Sequence, residues 1–159
     1  MIKHRSGQTI LEVVIATTLI SMGVIAALSL TNQSQKSSNF SKLLNEATAY
    51  NNQLADYLRT AKSTHGFAVL GSIFTEDSQG GTATYCFPSL TETITDFLVI
   101  TPGSCAPNSY IQGTTFIREM VVDTTNIETT GIIPITITTS WEDKTTRSAK
   151  LEMELTKWK

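Results

Sequence analysis

Few side chains in this 159-residue chain are placed to do chemistry. It holds two cysteines and two histidines, and a structural zinc site usually takes four such ligands, so neither a zinc centre nor any other bound cofactor is expected. His65 is followed by Gly66 and has no catalytic partner motif near it; that pair marks a helix end, not a general base. Cys86 and Cys105 flank 18 residues. Joined as a disulfide in an oxidising compartment, they would stabilise the fold by about 3 kcal/mol; the alternative is two free structural thiols. Asp77, Asp96, Asp123 and Asp143 are scattered, with no EF-hand spacing, which leaves only a loop-bound calcium open. Gly80-Gly81 precedes a strand pattern and not a helix, so it is a turn and no phosphate cradle. Trp141 reads as core packing at a strand end; Trp158 divides evenly between packing and a stacking surface. No constellation suggests an enzyme. One ionisable residue is out of place: Glu12, near the start of an otherwise apolar run.

That run, residues 10–30, reads ILEVVIATTLISMGVIAALSL, and Glu12 is its only charge. At 1.5 Å per residue a helix of 21 residues spans about 31 Å, the thickness of a bilayer core. Lys3 and Arg5 lie before it and no basic cluster follows at once. The positive-inside rule puts the N-terminus in the cytoplasm and the remainder outside. An acid near the edge of a membrane segment carries an insertion cost, so it is a functional suspect. Ala26-Ala27-Leu28-Ser29 is a poor signal-peptidase site, because the apolar run is long and carries that acid.

Residues 31–64 are polar but periodic. Phe40, Leu43, Leu44, Ala47, Tyr50, Leu54, Tyr57, Leu58 and Ala61 recur at steps of three and four, and no Gly or Pro interrupts them. This predicts an amphipathic helix continuous with the apolar one and ending near 63–66. Residues 65–159 read as β. All four prolines, seven of nine glycines and 19 of 26 threonines lie there. Branched threonines suit strands that face water. Strands are predicted at 82–87, 94–100, 114–122, 133–141 and 148–158, with 142–147 as a polar hairpin loop. Ile133, Ile135, Ile137, Thr139 and Trp141 form one face; Ala149, Leu151, Met153 and Leu155 form the next. One apolar helix stripe and one apolar sheet face predict an α+β fold, a long N-terminal helix packed on an antiparallel sheet.

The string Lys3-His4-Arg5-Ser6-Gly7-Gln8-Thr9-Ile10-Leu11-Glu12-Val13 resembles the prepilin signature of type IV pilins and type II secretion pseudopilins. The motif likeness covers about 30 residues, and the architecture the whole chain. It implies four regions: a cytoplasmic leader at 1–7, a transmembrane and filament-core helix at 8–30, its amphipathic continuation at 31–64 and an extracytoplasmic β-sheet domain at 65–159. The resemblance assigns Gly7 to the residue before the cut and Gln8 to the new N-terminus, often N-methylated in this family. Glu12 matches the glutamate that pairs with that amine on a neighbouring subunit. The implied partners are other pilin subunits, a prepilin peptidase, the membrane and an assembly platform; the implied location is the cytoplasmic membrane, then a surface filament. The stretch from Ala49 to Arg59 and the late strands around Trp141 are similar to PilV-type minor pilins and I-type pseudopilins, which points to a minor subunit. Two features depart from the pattern: Gln8 stands where major pilins place Phe or Met and can cyclise, and the helix lacks the mid-helix Pro of many pilins and has only Gly23.

Formal net charge is -2. Beyond residue 64, six Lys/Arg face eleven Asp/Glu, so nucleic acid is not an expected partner, although Arg147, Lys150, Lys157 and Lys159 leave a local basic patch. The competing function is a single-span anchored extracellular binding domain, uncut and unpolymerised.

Overall fold

A computed structural model describes residues 6–90, 101–143 and 145–157, with backbone alone for 6–9. The order is α1 (Ser6–His65), α2 (Phe67–Ser78), β1 (Thr82–Cys86), β2 (Ile117–Asp123), α3 (Ile127–Thr130), β3 (Ile132–Asp143) and β4 (Thr145–Thr156). The chain divides into two compact units, Met1–Leu43 and Leu44–Lys159.

In the first unit the helix carries apolar side chains that no described residue buries. Every large one from Ile10 to Leu30 is exposed, between 51% at Ile15 and 69% at Leu30. This is one helix long and apolar enough to cross a membrane.

The second unit is a two-layer α+β domain. Its four strands lie in the order β1-β2-β3-β4, each antiparallel to the next. The inward phase of β2 and β3 is set by alternation: Met120 pairs with Ile137 and Val122 with Ile135, while Ile133 opposes Leu155 on β4. Onto that face α1 lays Leu54, Ala55, Leu58 and Ala61, all buried. Burying one such leucine contributes about 1.5–3 kcal/mol. The opposite face is half-exposed and threonine-rich, with Thr84, Thr136 and Thr138 on it.

Helix α1 ends where the glycine signal placed it. Gly66 has φ +84° and ψ 156°, a region closed to residues with a Cβ. Its N–H donates to the Lys62 carbonyl at 2.9 Å. The chain then re-enters a helix, which corrects the reading of residues 65–159 as β throughout. In α2, Phe67, Leu70, Gly71 and Phe74 recur at helical spacing. Val69, Ile73 and Thr75 are β-branched and Gly71 is a poor helix former, so local propensity hides the pattern and packing overrides it. Phe74 meets Tyr85 edge-on, with ring centroids 5.8 Å apart. The Tyr85 hydroxyl donates to Asp77 Oδ2 at 2.8 Å. Together they fix α2 on β1. Left-handed Gln79 and Gly80 end α2, and the Gly80-Gly81 turn leads directly into β1 as expected.

Three other boundaries move. The 142–147 loop is mostly ladder: Trp141 pairs with Arg147, Glu142 with Thr146 and Asp143 with Thr145. Strand β2 begins at Ile117 rather than at residue 114, because Thr114 closes a turn onto the Ile111 carbonyl at 2.9 Å. Strand β4 starts at Thr145 and ends at Thr156. The strand expected at 94–100 lies outside the described residues, as does Trp158.

Candidate functional site

The apolar helical stretch contains few polar side chains, and three of its four hydroxyls bond back to the helix itself. Thr17 Oγ1 donates to the carbonyls of Val13 and Val14 at 3.0 Å each. Thr18 Oγ1 bonds the Val14 carbonyl, and Ser21 Oγ the Thr17 carbonyl at 2.7 Å. Hydroxyls bonded back to their own helix enter an apolar medium at little cost. Glu12 differs: it is exposed, and among the described residues its carboxylate has no partner. Glu12 is thus the one charge in the stretch that must be buried with a partner or kept near water. Gly7 and Gln8, the expected processing residues, fall in the first turn of α1, where only backbone is described.

Cys86 and Cys105 form a disulfide, with Cα atoms 4.9 Å apart. It joins the end of β1 to the long connection that precedes β2. Backbone bonds seat the same loop: Gly103 N–H to the Thr84 carbonyl at 2.6 Å and Phe87 N–H to the Arg118 carbonyl at 2.9 Å. Cys105 N–H donates to Glu119 Oε1 at 2.7 Å.

The remaining candidates stay apart. Asp77 holds Tyr85. Hydrogen bonding from the Thr125 side chain first, and then from the Thr125 N–H at 2.9 Å, holds the Asp123 carboxyl below the ordinary range. Asp96 lies outside the described residues. Among the described residues no three His, Cys, Asp or Glu side chains converge on a possible metal position. Trp141 is 3% exposed and packs 5.8 Å from Phe116, whose ring lies 5.4 Å from Tyr50. Its role is packing. In the basic patch, Lys150 is paired with Glu152 at 2.6 Å.

One residue escaped the sequence reading. Arg118 is 1% exposed. Its Nη1 donates to the Tyr50 carbonyl at 3.0 Å and to Gln53 Oε1 at 3.4 Å. Burial pushes its guanidinium down to about 10, against the opposing pull of the Tyr50 phenol, so it stays charged at neutral pH. Beside it, Thr139 Oγ1 donates to Asn51 Oδ1 at 2.7 Å and Asn51 Nδ2 to the Ala149 carbonyl at 3.0 Å. These bonds tie α1 to three strands. The signal was present: in Phe116, Arg118, Met120, Val122 the arginine occupies the inward phase.

Comparison with protein-family models, with curated proteins and with solved structures finds no match to this chain.

Proposed function

We propose that this chain is a minor pilin or pseudopilin subunit, cut after Gly7 and assembled into a type IV pilus-like or type II secretion filament through its N-terminal helix. The observation that carries the reading is the exposed apolar stretch 10–30 with its one acid, Glu12, which has no partner among the described residues. An uncovered apolar surface of that length requires lipid or other helices around it. Both environments are apolar, so moving from one to the other costs little hydrophobic free energy. The N-terminus faces the cytoplasm, and the domain from Leu44 onward faces outside. A prepilin peptidase removes residues 1–7, and an assembly platform extracts the subunit from the membrane.

Glu12 supplies the register. In a bundle core of low dielectric its carboxylate pairs with the amine of Gln8 on a neighbouring subunit, and an offset subunit leaves a charge unpaired. The contact joins unlike surfaces and does not close, so it propagates as a filament. The function is assembly, not catalysis.

The test is the N-terminus and intact mass of the protein isolated from its native host. A chain beginning at Gln8, methylated or cyclised, is the expected result. A chain that retains Met1 to Gly7 would sink the proposal and leave a signal-anchored domain. Glu12→Ala then separates assembly from anchoring: membrane insertion persists and filament incorporation is lost.

A further inference from the structure

Charge is distributed unevenly along the sequence. From Gly66 to Asp143 there are nine acidic residues and one basic one, Arg118, which is buried. Within that stretch no exposed side chain is positive. Residues 13–45 are the reverse: they hold no acid, and Lys36 and Lys42 are both exposed on α1.

The acidic surface contains a recess of about 600 Å³ between α2 and α3. Phe67, Gly71 and Ile127 give it an apolar floor. A Cβ at position 71 would lie 3.1 Å from Ile127 Cδ1, so that side chain would have to shift by a few tenths of an ångström to admit one. Glu76 and Glu128 stand exposed at its margin, and among the described residues neither forms an ion pair. Lys157 also borders the recess, beside Gly131. An apolar floor with two free carboxylates at its edge fits a helix that presents small or apolar side chains flanked by a cation.

We propose that this recess is an interface between copies of the chain, and that it receives the α1 helix of a second copy around Lys36. The inference rests on the filament reading, since membrane-held helices are what bring copies side by side. Charge selects the occupant. Two such domains repel one another across their acidic faces, whereas the acid-free stretch of α1 is attracted. The recess and the Lys36 stretch are different surfaces, so the contact is heterologous and continues from copy to copy. Exposed ion pairs contribute little holding energy, and salt screens them beyond about 10 Å at 0.1 M. Their effect is to fix orientation and partner.

The test places the photo-reactive residue p-benzoylphenylalanine at Ser72, an exposed position lining the recess, in the full chain in its native membrane. Irradiation should give a cross-linked dimer whose adduct maps to residues 32–43 of the second copy. E76K with E128K should lower the yield about tenfold, and adding K36E should restore much of it, as expected for paired charges. Raising salt should lower the yield in the unmodified background. An adduct elsewhere in the chain, an adduct to a different protein, or a yield indifferent to the charge exchange overturns the proposal. Filament assembly is followed separately. Filaments that form and depend on Glu12 without the cross-link remove this inference alone. A chain that keeps residues 1–7 and never polymerises removes the filament reading, and with it this one.

Discussion

Within the single helix α1, residues 10–30 and residues 44–65 meet opposite fates. In the first stretch every large apolar side chain is more than half exposed. In the second, Ala47, Leu54, Ala55, Leu58 and Ala61 are at most 1% exposed. Both are uninterrupted helix, so backbone geometry does not separate them; side-chain patterning does. The first is apolar on all sides and has no polar face to turn toward water. The second has one stripe, which the sheet covers. A helix therefore says little about its surroundings, while the angular width of its apolar surface says a great deal. Polar residues follow the same division. In 10–30 the hydroxyls of Thr17, Thr18 and Ser21 bond their own helix. In 44–65 Asn51 and the Tyr50 and Gln53 acceptors reach into the sheet.

The sharpest way to break this comparison is a matched pair of truncations. Leu54→Ala should cost the folded domain about 2–5 kcal/mol, because a fully buried leucine leaves a cavity. Leu19→Ala should leave unfolding of the domain unchanged. Denaturant titration of the full chain in detergent micelles measures both, and equal losses would mean that the two stretches are not distinct. Next in size is the disulfide. Replacing Cys86 and Cys105 together by Ser should destabilise the domain by about 3 kcal/mol through the freed loop, with membrane association of α1 unaltered; thermal melts and flotation read the two halves. Gly66→Ala should cost about 1–3 kcal/mol, since its φ of +84° excludes a Cβ. No atom lies within 4 Å of the added methyl, so crowding contributes nothing and the whole loss is backbone strain.

The smallest effect is a pH dependence confined to the second unit. Burial, then the hydrogen bond to Asp77 and its charge, raise the Tyr85 phenol well above its ordinary 10. The folded state thus holds that proton where the unfolded chain releases it. The contribution is present below pH 10 and declines as pH rises from 10 toward the raised folded value. Arg118, lowered to about 10, works in the opposite sense over the same alkaline range. The difference between wild type and Tyr85→Phe isolates the tyrosine: the variant's stability should fall less steeply above pH 10. Parallel curves would remove Tyr85 from the account.

Much of this was legible in the residues. The alternation of Ile133, Ile135, Ile137, Thr139 and Trp141 predicted the inward face of β3, all five of which are buried. The stripe predicted which side of α1 the domain covers, and Gly66 predicted the end of that helix. Helix α2 was missed because its β-branched residues and Gly71 argue against a helix, and only Phe74 and Leu70 docking on the sheet outweighs them. The hairpin between the last two strands was expected, but its loop was drawn too wide at 142–147, because polar, charged residues look like a loop although solvent-facing positions tolerate them in a strand.

Sequence alone determined the properties that depend on local order. Residues 10–30 are apolar all round, Glu12 is their single charge, and the later strands have period two, because each follows from neighbours along the chain. Tertiary structure decided what depends on residues far apart. It put Arg118 against the Tyr50 carbonyl, joined Cys86 to Cys105 and opened the acid-edged recess between α2 and α3. No local pattern specifies such meetings. They are set by which faces the sheet and the two helices bury against each other, and that choice is made by the packed core as a whole.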